Sequence, residues 1–272
     1  MSHVVALGPR GDEWTYDKDA KIYNLTRGNS PSTFSLRTTK GPTDTSITLA
    51  PSLSALIVVD MQNLFLHPSC NKHPTGLAAV ERTIELVRKC REVDVKIIWL
   101  NWGLNDKDLE TMPAAAERSF DRTLLTMPPD GTQVRRGFGF DMGEGRGRLL
   151  MDGSWNAALY GPMRDETRSS DVFCSKNRIS GLWHSETPLG KELKSGGFRT
   201  LLFAGVNTDQ CVLGTLTDAY YHGYDCIMVE DCCATGTPRG QEVTISNVSG
   251  LYGFVVDSHS IIEGTLGSEV HK

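Results

Sequence analysis

The stretch Ala55-Leu56-Ile57-Val58-Val59-Asp60 decides the fold. Five consecutive apolar residues, three of them β-branched, predict a short strand buried on both faces, as in the middle of a parallel sheet. An aspartate directly behind such a strand is costly unless it finds partners. Downstream, Leu77, Val80, Ile84 and Val87 recur at helical spacing and predict a helix from about Leu77 to Glu92. Val95–Leu100 reads as the second strand. The alternation resumes with a strand at Asp171–Cys174, a helix at Leu189–Ser195 and a strand at Thr200–Gly205. A helix at Asp209–His222, a strand at Asp225–Val229, a helix from about Gln241 to Ser249 and a strand at Phe254–Val256 complete the series. Strands alternating with helices predict an α/β fold whose mostly parallel central sheet carries helices on both faces.

Two segments lie outside this alternation. Residues 1–53 form an N-terminal extension, polar and rich in Thr, Ser, Gly and Pro, with one strand expected near Ser32–Leu36. Whether it wraps the surface, covers a neighbouring subunit or stays mobile is open at this level. Residues 54–272 read as one domain, interrupted over about 103–170 by an insertion rich in Gly, Pro, Met and Arg. An insertion of that length points to a lid or an interface.

Composition narrows the function classes. The chain has 272 residues, 39% of them hydrophobic and 22% charged, which suits a globular protein with a sizeable core. The net charge is −5 and no long basic run occurs, so a nucleic-acid partner is not expected. No apolar stretch approaches the ~18 residues of a membrane span, and Met1–Lys21 holds no apolar core of a secretory signal. Seven cysteines, odd in number, irregular in spacing and without a C-x-x-C pair, argue against a disulfide framework and for a reducing cytoplasm. Gly143–Gly147 lacks the spacing of a dinucleotide loop, so no cofactor is expected from it.

Ligands of open parallel sheets bind at the carboxyl ends of the strands. Asp60 closes the first strand, Lys176 lies just past Cys174, and Cys211 sits at the opening of the helix expected after Gly205. Free N–H groups and partial positive charge at a helix N-terminus favour a thiolate and can hold a developing oxyanion. Thr208 or Asp209 would cap that helix. A buried structural thiol fits the other six cysteines better than Cys211, which follows the polar turn Val206-Asn207-Thr208-Asp209-Gln210. Asp60 reads equally as a loop cap or as a general base, and Lys176 alone reads as a surface lysine. Beside an aspartate and a cysteine, a lysine would stabilise both anions.

Three stretches together carry a resemblance. They are Leu56-Ile57-Val58-Val59-Asp60-Met61-Gln62-Asn63, Lys176-Asn177-Arg178-Ile179-Ser180-Gly181-Leu182 and Ala204-Gly205-Val206-Asn207-Thr208-Asp209-Gln210-Cys211-Val212. Asp218-Ala219-Tyr220, Gly223-Tyr224-Asp225 and Val229-Glu230-Asp231 extend it over about residues 54–257. In order and spacing these resemble the isochorismatase-like cysteine hydrolases. The resemblance implies a Rossmann-like three-layer α/β/α fold and a catalytic triad of Asp60, Lys176 and Cys211. It also implies a cis peptide at Val206–Asn207 and an oxyanion hole from the backbone N–H groups of Asn207 and Cys211. Gln62, two residues past the family's base, would line the site. Read as residues, Trp102 and Trp183 either wall a substrate pocket or, as aromatics more often do, simply pack.

Metal-binding members of that family carry an Asp and two His after the second strand. Here the region reads Leu100-Asn101-Trp102-Gly103-Leu104-Asn105-Asp106, and no histidine occurs between His73 and His184. No catalytic metal is therefore expected. His67 and His73 flank Cys70 without the spacing of a zinc site. Retention of Cys211 favours metal-independent cleavage of a C–N bond in a small amide, ureide or carbamoyl compound through a thioester. Cleavage of the vinyl ether of isochorismate is the alternative chemistry, and a non-catalytic binding or scaffold role on the same fold is the alternative class. The partner expected is a small-molecule substrate, with the chain itself assembling as a dimer or tetramer, as members of the family commonly do.

Overall fold

The computed structural model describes residues 3–28, 30–41, 44–121 and 136–268. Its centre is a six-stranded sheet in the order β11-β10-β9-β6-β7-β8, every neighbouring pair of which is parallel. The strands are β6 (Ser54–Val59), β7 (Lys96–Trp102), β8 (Val172–Lys176), β9 (Thr200–Val206), β10 (Asp225–Ala234) and β11 (Phe254–Val256). All six residues of β6 are buried, as the continuous apolar run requires. Helix α2 (Pro74–Glu92) covers one face with Ala79, Val80, Thr83, Leu86, Val87 and Cys90. Helices α6 (Pro188–Ser195) and α7 (Leu213–Tyr221) bury Leu189, Leu193, Leu216 and Ala219 in the core on the other face. The result is the three-layer arrangement expected.

Register sets where the strands end. Val59 of β6 lies opposite Leu100 of β7 and opposite Gly205 of β9, and Trp102 of β7 lies opposite Lys176 of β8. Gly205 has φ +121, and a Cβ there would stand 2.0 Å from the carbonyl oxygen of Val59. Only glycine permits β9 to leave the sheet so close to β6.

Two expectations for local structure need correction. The helix expected over Asp209–His222 begins as a π-helical turn, Thr208–Val212, and only then continues as α7. The helix expected from Gln241 to Ser249 is likewise split into α8 (Gly240–Asn247) and a π-helical turn, Val248–Tyr252. Side-chain periodicity does not distinguish these windings over a single turn. Within about 103–170 the chain forms short helices α3 (Asp106–Glu110), α4 (Ala114–Phe120) and α5 (Gly161–Asp165).

The N-terminal segment forms a second six-stranded sheet, in the order β1-β2-β3-β5-β4-β12. Its strands are β1 (Val4–Leu7), β2 (Trp14–Asp17), β3 (Ile22–Asn24), β4 (Thr33–Arg37) and β5 (Ser46–Leu49), with β12 (Thr265–Gly267) added from the far end of the chain. The strand expected at Ser32–Leu36 is β4. Phe34, Leu36, Ile47 and Leu49 are buried in the same core as α2. Asp225, at the start of β10, fastens this sheet to the central one. Its carboxylate accepts two hydrogen bonds from Arg27, at 2.7 and 2.8 Å. It accepts two more from the Trp14 indole and the Thr200 hydroxyl. Arg27 and Asp225 side chains are only 8% and 2% exposed. Removing one member of such a pair leaves a buried charge unpartnered. Arg27→Met should therefore lower stability by roughly 3 kcal/mol in urea unfolding and speed proteolysis of the N-terminal strands.

Candidate active site

The aligned carboxyl ends of β6, β8 and β9 bring Asp60, Lys176 and Cys211 to one point. Lys176 Nζ lies 3.0 Å from Asp60 Oδ2 and donates to Cys211 Sγ at 3.4 Å. Its third contact is the backbone carbonyl of Arg178, at 3.1 Å. The three side chains are buried: Asp60 at 0%, Lys176 at 4% and Cys211 at 4% exposure. One strand, β7, lies between β8 and β6, so the lysine must cross it. It does so over Trp102, with Nζ 3.8 Å from the ring centroid. The indole face attracts the ammonium, and the four-carbon stem spans the gap.

Asp60 adopts φ +52, a conformation rare for a side-chain-bearing residue. Its N–H donates to the Leu100 carbonyl at 2.9 Å, and its carbonyl accepts from the Gln62 N–H at 2.8 Å. Oδ1 accepts from the Trp102 N–H at 3.2 Å. Packing thus fixes a backbone conformation that costs of order 1–3 kcal/mol.

Burial dominates the electrostatics. It raises the Asp60 carboxyl above its usual range, against the pull of the Lys176 ammonium and of hydrogen bonds from Cys211 and Trp102. It pushes the Cys211 thiol up to about 12, with Lys176 opposing and Asp60 reinforcing the shift. The expectation that a helix N-terminus would lower this thiol is therefore corrected. Cys211 sits in the buried π-helical turn before α7, and desolvation outweighs the pull of the Lys176 ammonium and the Trp102 indole. Neither Thr208 nor Asp209 caps α7. The Thr208 hydroxyl instead donates to Gln241 Oε1, and Gln241 Nε2 donates to the Glu230 and Cys233 carbonyls.

The peptide Val206–Asn207 is cis, at the position expected. The Asn207 carbonyl accepts from the Gln210 and Val212 N–H groups, at 3.1 and 3.2 Å, and so holds the turn that carries Cys211. Asn207 Oδ1 lies 2.7 Å from His73 Nε2. Sequence reasoning weighed His73 only as a zinc ligand, because nothing local ties it to a residue 134 positions away. Among the described residues, no three His, Cys, Asp or Glu side chains gather as they would around a metal ion.

The other sequence-selected residues occupy distinct places. Gln62 is fully buried, and its amide is taken up by the Trp102 N–H, the Trp102 carbonyl and the Ala157 carbonyl. It ties the end of β7 to the 103–170 segment. Trp102 meets Phe120 edge-on and Phe138 at a tilt, with ring centroids 5.1 Å from each. This aromatic group packs beside the face of Trp102 that the Lys176 ammonium approaches. The Trp102 indole N–H lacks a well-aligned partner among the described residues, and its proximity to Cys211 works toward the thiolate. Trp183 is 48% exposed. It edges a cleft of about 290 Å³ shared with Asn105, Asp108, Lys176, Asn177 and Thr187. Of the arginines in the inserted segment, Arg146 and Arg148 bind local backbone carbonyls and acidic side chains. Arg122 and Arg135 lie outside the described residues.

An ion pair this deeply buried is held by mutual compensation. Asp60→Asn, which strands the Lys176 ammonium, should destabilise the protein by roughly 3 kcal/mol. The double change Asp60→Asn with Lys176→Met should recover much of that loss in the same denaturation assay.

The chain matches the model of the Isochorismatase domain over residues 54–260. It is 30% identical over 223 residues to ureidoacrylate amidohydrolase RutB of Klebsiella variicola, covering 79% of this chain and 88% of that protein. RutB of Methylorubrum extorquens is 30% identical over 226 residues, covering 79% and 84%. An isochorismatase family protein of Desulfovibrio vulgaris superimposes with a TM-score of 0.60 at 22% identity, covering 78% of this chain and 97% of that one. N-carbamoylsarcosine amidase from Thermoplasma acidophilum superimposes with a TM-score of 0.54 at 22% identity, covering 75% and 96%. No helix among the described residues is long and apolar enough to cross a membrane. By the match over residues 54–260 and the likeness to the RutB sequences, the chain belongs to the isochorismatase-like hydrolases.

Proposed function

We propose that this hydrolase cleaves the C–N bond of a small amide, ureide or carbamoyl compound by covalent catalysis at Cys211, without a metal. The mutual contact of Asp60, Lys176 and Cys211 carries the reading. The RutB relatives, ureidoacrylate amidohydrolases by name, point the same way.

Burial favours the protonated form of the resting sulfur. Asp60 takes that proton as Sγ attacks the substrate carbonyl, so no free thiolate accumulates. Lys176 reaches both groups with its Nζ and steadies whichever of them is anionic. The tetrahedral oxyanion is received by the backbone N–H groups of Asn207 and Cys211. When the C–N bond breaks, protonated Asp60 delivers its proton to the departing nitrogen, leaving an acyl group on sulfur. Asp60 then takes a proton from water as the water oxygen attacks the thioester carbonyl; the C–S bond breaks, the acid product leaves, and Asp60 returns the proton to Sγ to restore the thiol. Trp102 shapes the apolar wall beside the ammonium, and Trp183 lines the approach. Action in a reducing cytoplasm agrees with seven unpaired cysteines. That compartment and assembly as a dimer or tetramer belong to the same proposal.

Wild-type protein should release ammonia from one or more members of a panel that includes ureidoacrylate, N-carbamoylsarcosine and simple primary amides. Cys211→Ala should lower turnover by at least about 10³-fold while keeping the wild-type melting temperature. Ammonia from none of the panel, with isochorismate consumed, would replace this chemistry by vinyl-ether cleavage. Full turnover by Cys211→Ala would remove the nucleophile.

The pH profile tests the base. Asp60 must be ionised to act, and its carboxyl is raised above the 3.8 of an ordinary aspartate. Activity should therefore be lost as pH falls through a value above that range, with full kcat/KM on its alkaline side. An acid limb centred at or below about 4 would contradict the desolvated carboxylate. The midpoint belongs to the coupled Asp60–Cys211 pair rather than to either group alone.

A further inference from the structure

We propose that His73 is a positioning residue for the cysteine turn, holding Asn207 in place through its Nε2–H. The inference rests on the reading of Cys211 as nucleophile and of the Asn207 amide as an oxyanion donor.

His73 is 5% exposed and stands at the N-terminus of α2. Its Nδ1 accepts the Gly76 N–H at 2.8 Å, capping the helix. A ring nitrogen that accepts from a backbone N–H carries no proton. The neutral ring therefore bears its hydrogen on Nε2 and donates it to Asn207 Oδ1, at 2.7 Å. Turning the Asn207 amide over would require a proton on Nδ1, facing the Gly76 N–H, so each assignment enforces the other. Space is tight on the capping side: a Cβ at Gly76 would stand 2.7 Å from Nδ1. Thr75, in the same first turn, donates to the Thr235 carbonyl just past β10, at 3.0 Å.

The start of α2 thus grips two loops at the carboxyl edge of the sheet. One of them opens with Asn207, whose own carbonyl holds the turn carrying Cys211. No other side chain among the described residues bonds the Asn207 amide oxygen. With the His73 bond lost, the Asn207 side chain loses its anchor, and its backbone is held only by the bonds its carbonyl accepts from Gln210 and Val212. An oxyanion donor displaced by about 1 Å costs of order a hundredfold in rate.

Two substitutions separate the two nitrogens. His73→Asn keeps an acceptor for the Gly76 N–H, since asparagine caps helices well, but it is too short to reach Asn207. His73→Gln can reach Asn207 with its amide N–H while giving up the cap. The probe is 4-nitrophenyl acetate. Sγ attacks the acetyl carbonyl, Asp60 takes the thiol proton, and 4-nitrophenolate leaves as the S-acetyl enzyme forms. Iodoacetamide alkylation of the same sulfur passes through no oxyanion and serves as the reference. Peptide mapping assigns both adducts.

In His73→Asn, acylation of Cys211 should fall about 10- to 100-fold, with alkylation and melting temperature unchanged. In His73→Gln, acylation should return most of the way to wild type while the melting temperature falls. Wild-type acylation in His73→Asn would reduce His73 to a helix cap and overturn the inference. Equal loss of acylation and alkylation in both variants would mean general loosening and overturn it too. Cys211→Ala distinguishes the two levels. A 4-nitrophenolate burst that survives there, or is missing from the wild type, removes the nucleophile reading itself. A burst lost there but undiminished in His73→Asn removes only the role of His73.

Discussion

The site depends on an ion pair that no single strand could make. Asp60 and Lys176 end strands separated by β7, and their charges meet only because the lysine stem is laid across Trp102. Register therefore matters more than the identity of any one residue. Trp102 opposite Lys176 and Val59 opposite Leu100 put the carboxylate and the ammonium at the same height. A slip of one residue would turn each side chain to the other face of the sheet. Gly205 adds the third coordinate, since its missing Cβ lets β9 depart against the backbone of Val59.

Burial gives the arrangement its chemistry. Desolvation raises the carboxyl and the thiol together, so the proton is held where it can move between oxygen and sulfur. A solvated ion pair would be screened and of little consequence. Here Asp60, Lys176 and Trp102 are all buried, and Phe120 and Phe138 of the insertion pack against Trp102. Part of what looks in the sequence like a loosely patterned insertion therefore helps to enclose the pair. Gln62 fastens it to β7 with both ends of its amide.

The N-terminal strands show a different solution to burial. Their sheet contributes Phe34, Leu36, Ile47 and Leu49 to the core shared with α2. A single carboxylate, Asp225, gathers Arg27, Trp14 and Thr200 at the seam. The bidentate geometry of the guanidinium gives that seam direction as well as charge. The closing strand β12, more than two hundred residues downstream, pairs with β4, so strands far apart in sequence share one sheet.

The sequence by itself determined the central sheet. A run such as Ala55–Val59 has no amphipathic alternative, and the helices between the strands repeat their apolar residues with a helical period. It also set Asp60, Lys176 and Cys211 near strand ends, where a parallel sheet presents ligands, but only the family resemblance joined them into one site. Tertiary structure decided what periodicity does not encode. The strands β1, β2, β3 and β5 are short, and no residue of β2 or β3 is fully buried, so no alternation announces them. The π-helical turn at Cys211 differs from an α-turn by one residue in the spacing of its hydrogen bonds. The upward shift of the thiol follows from exclusion of water, which is a property of the folded volume and not of a neighbouring residue. The partnership of His73 with Asn207 is likewise invisible along the chain, since a hydrogen bond between distant loops leaves no periodic trace in either.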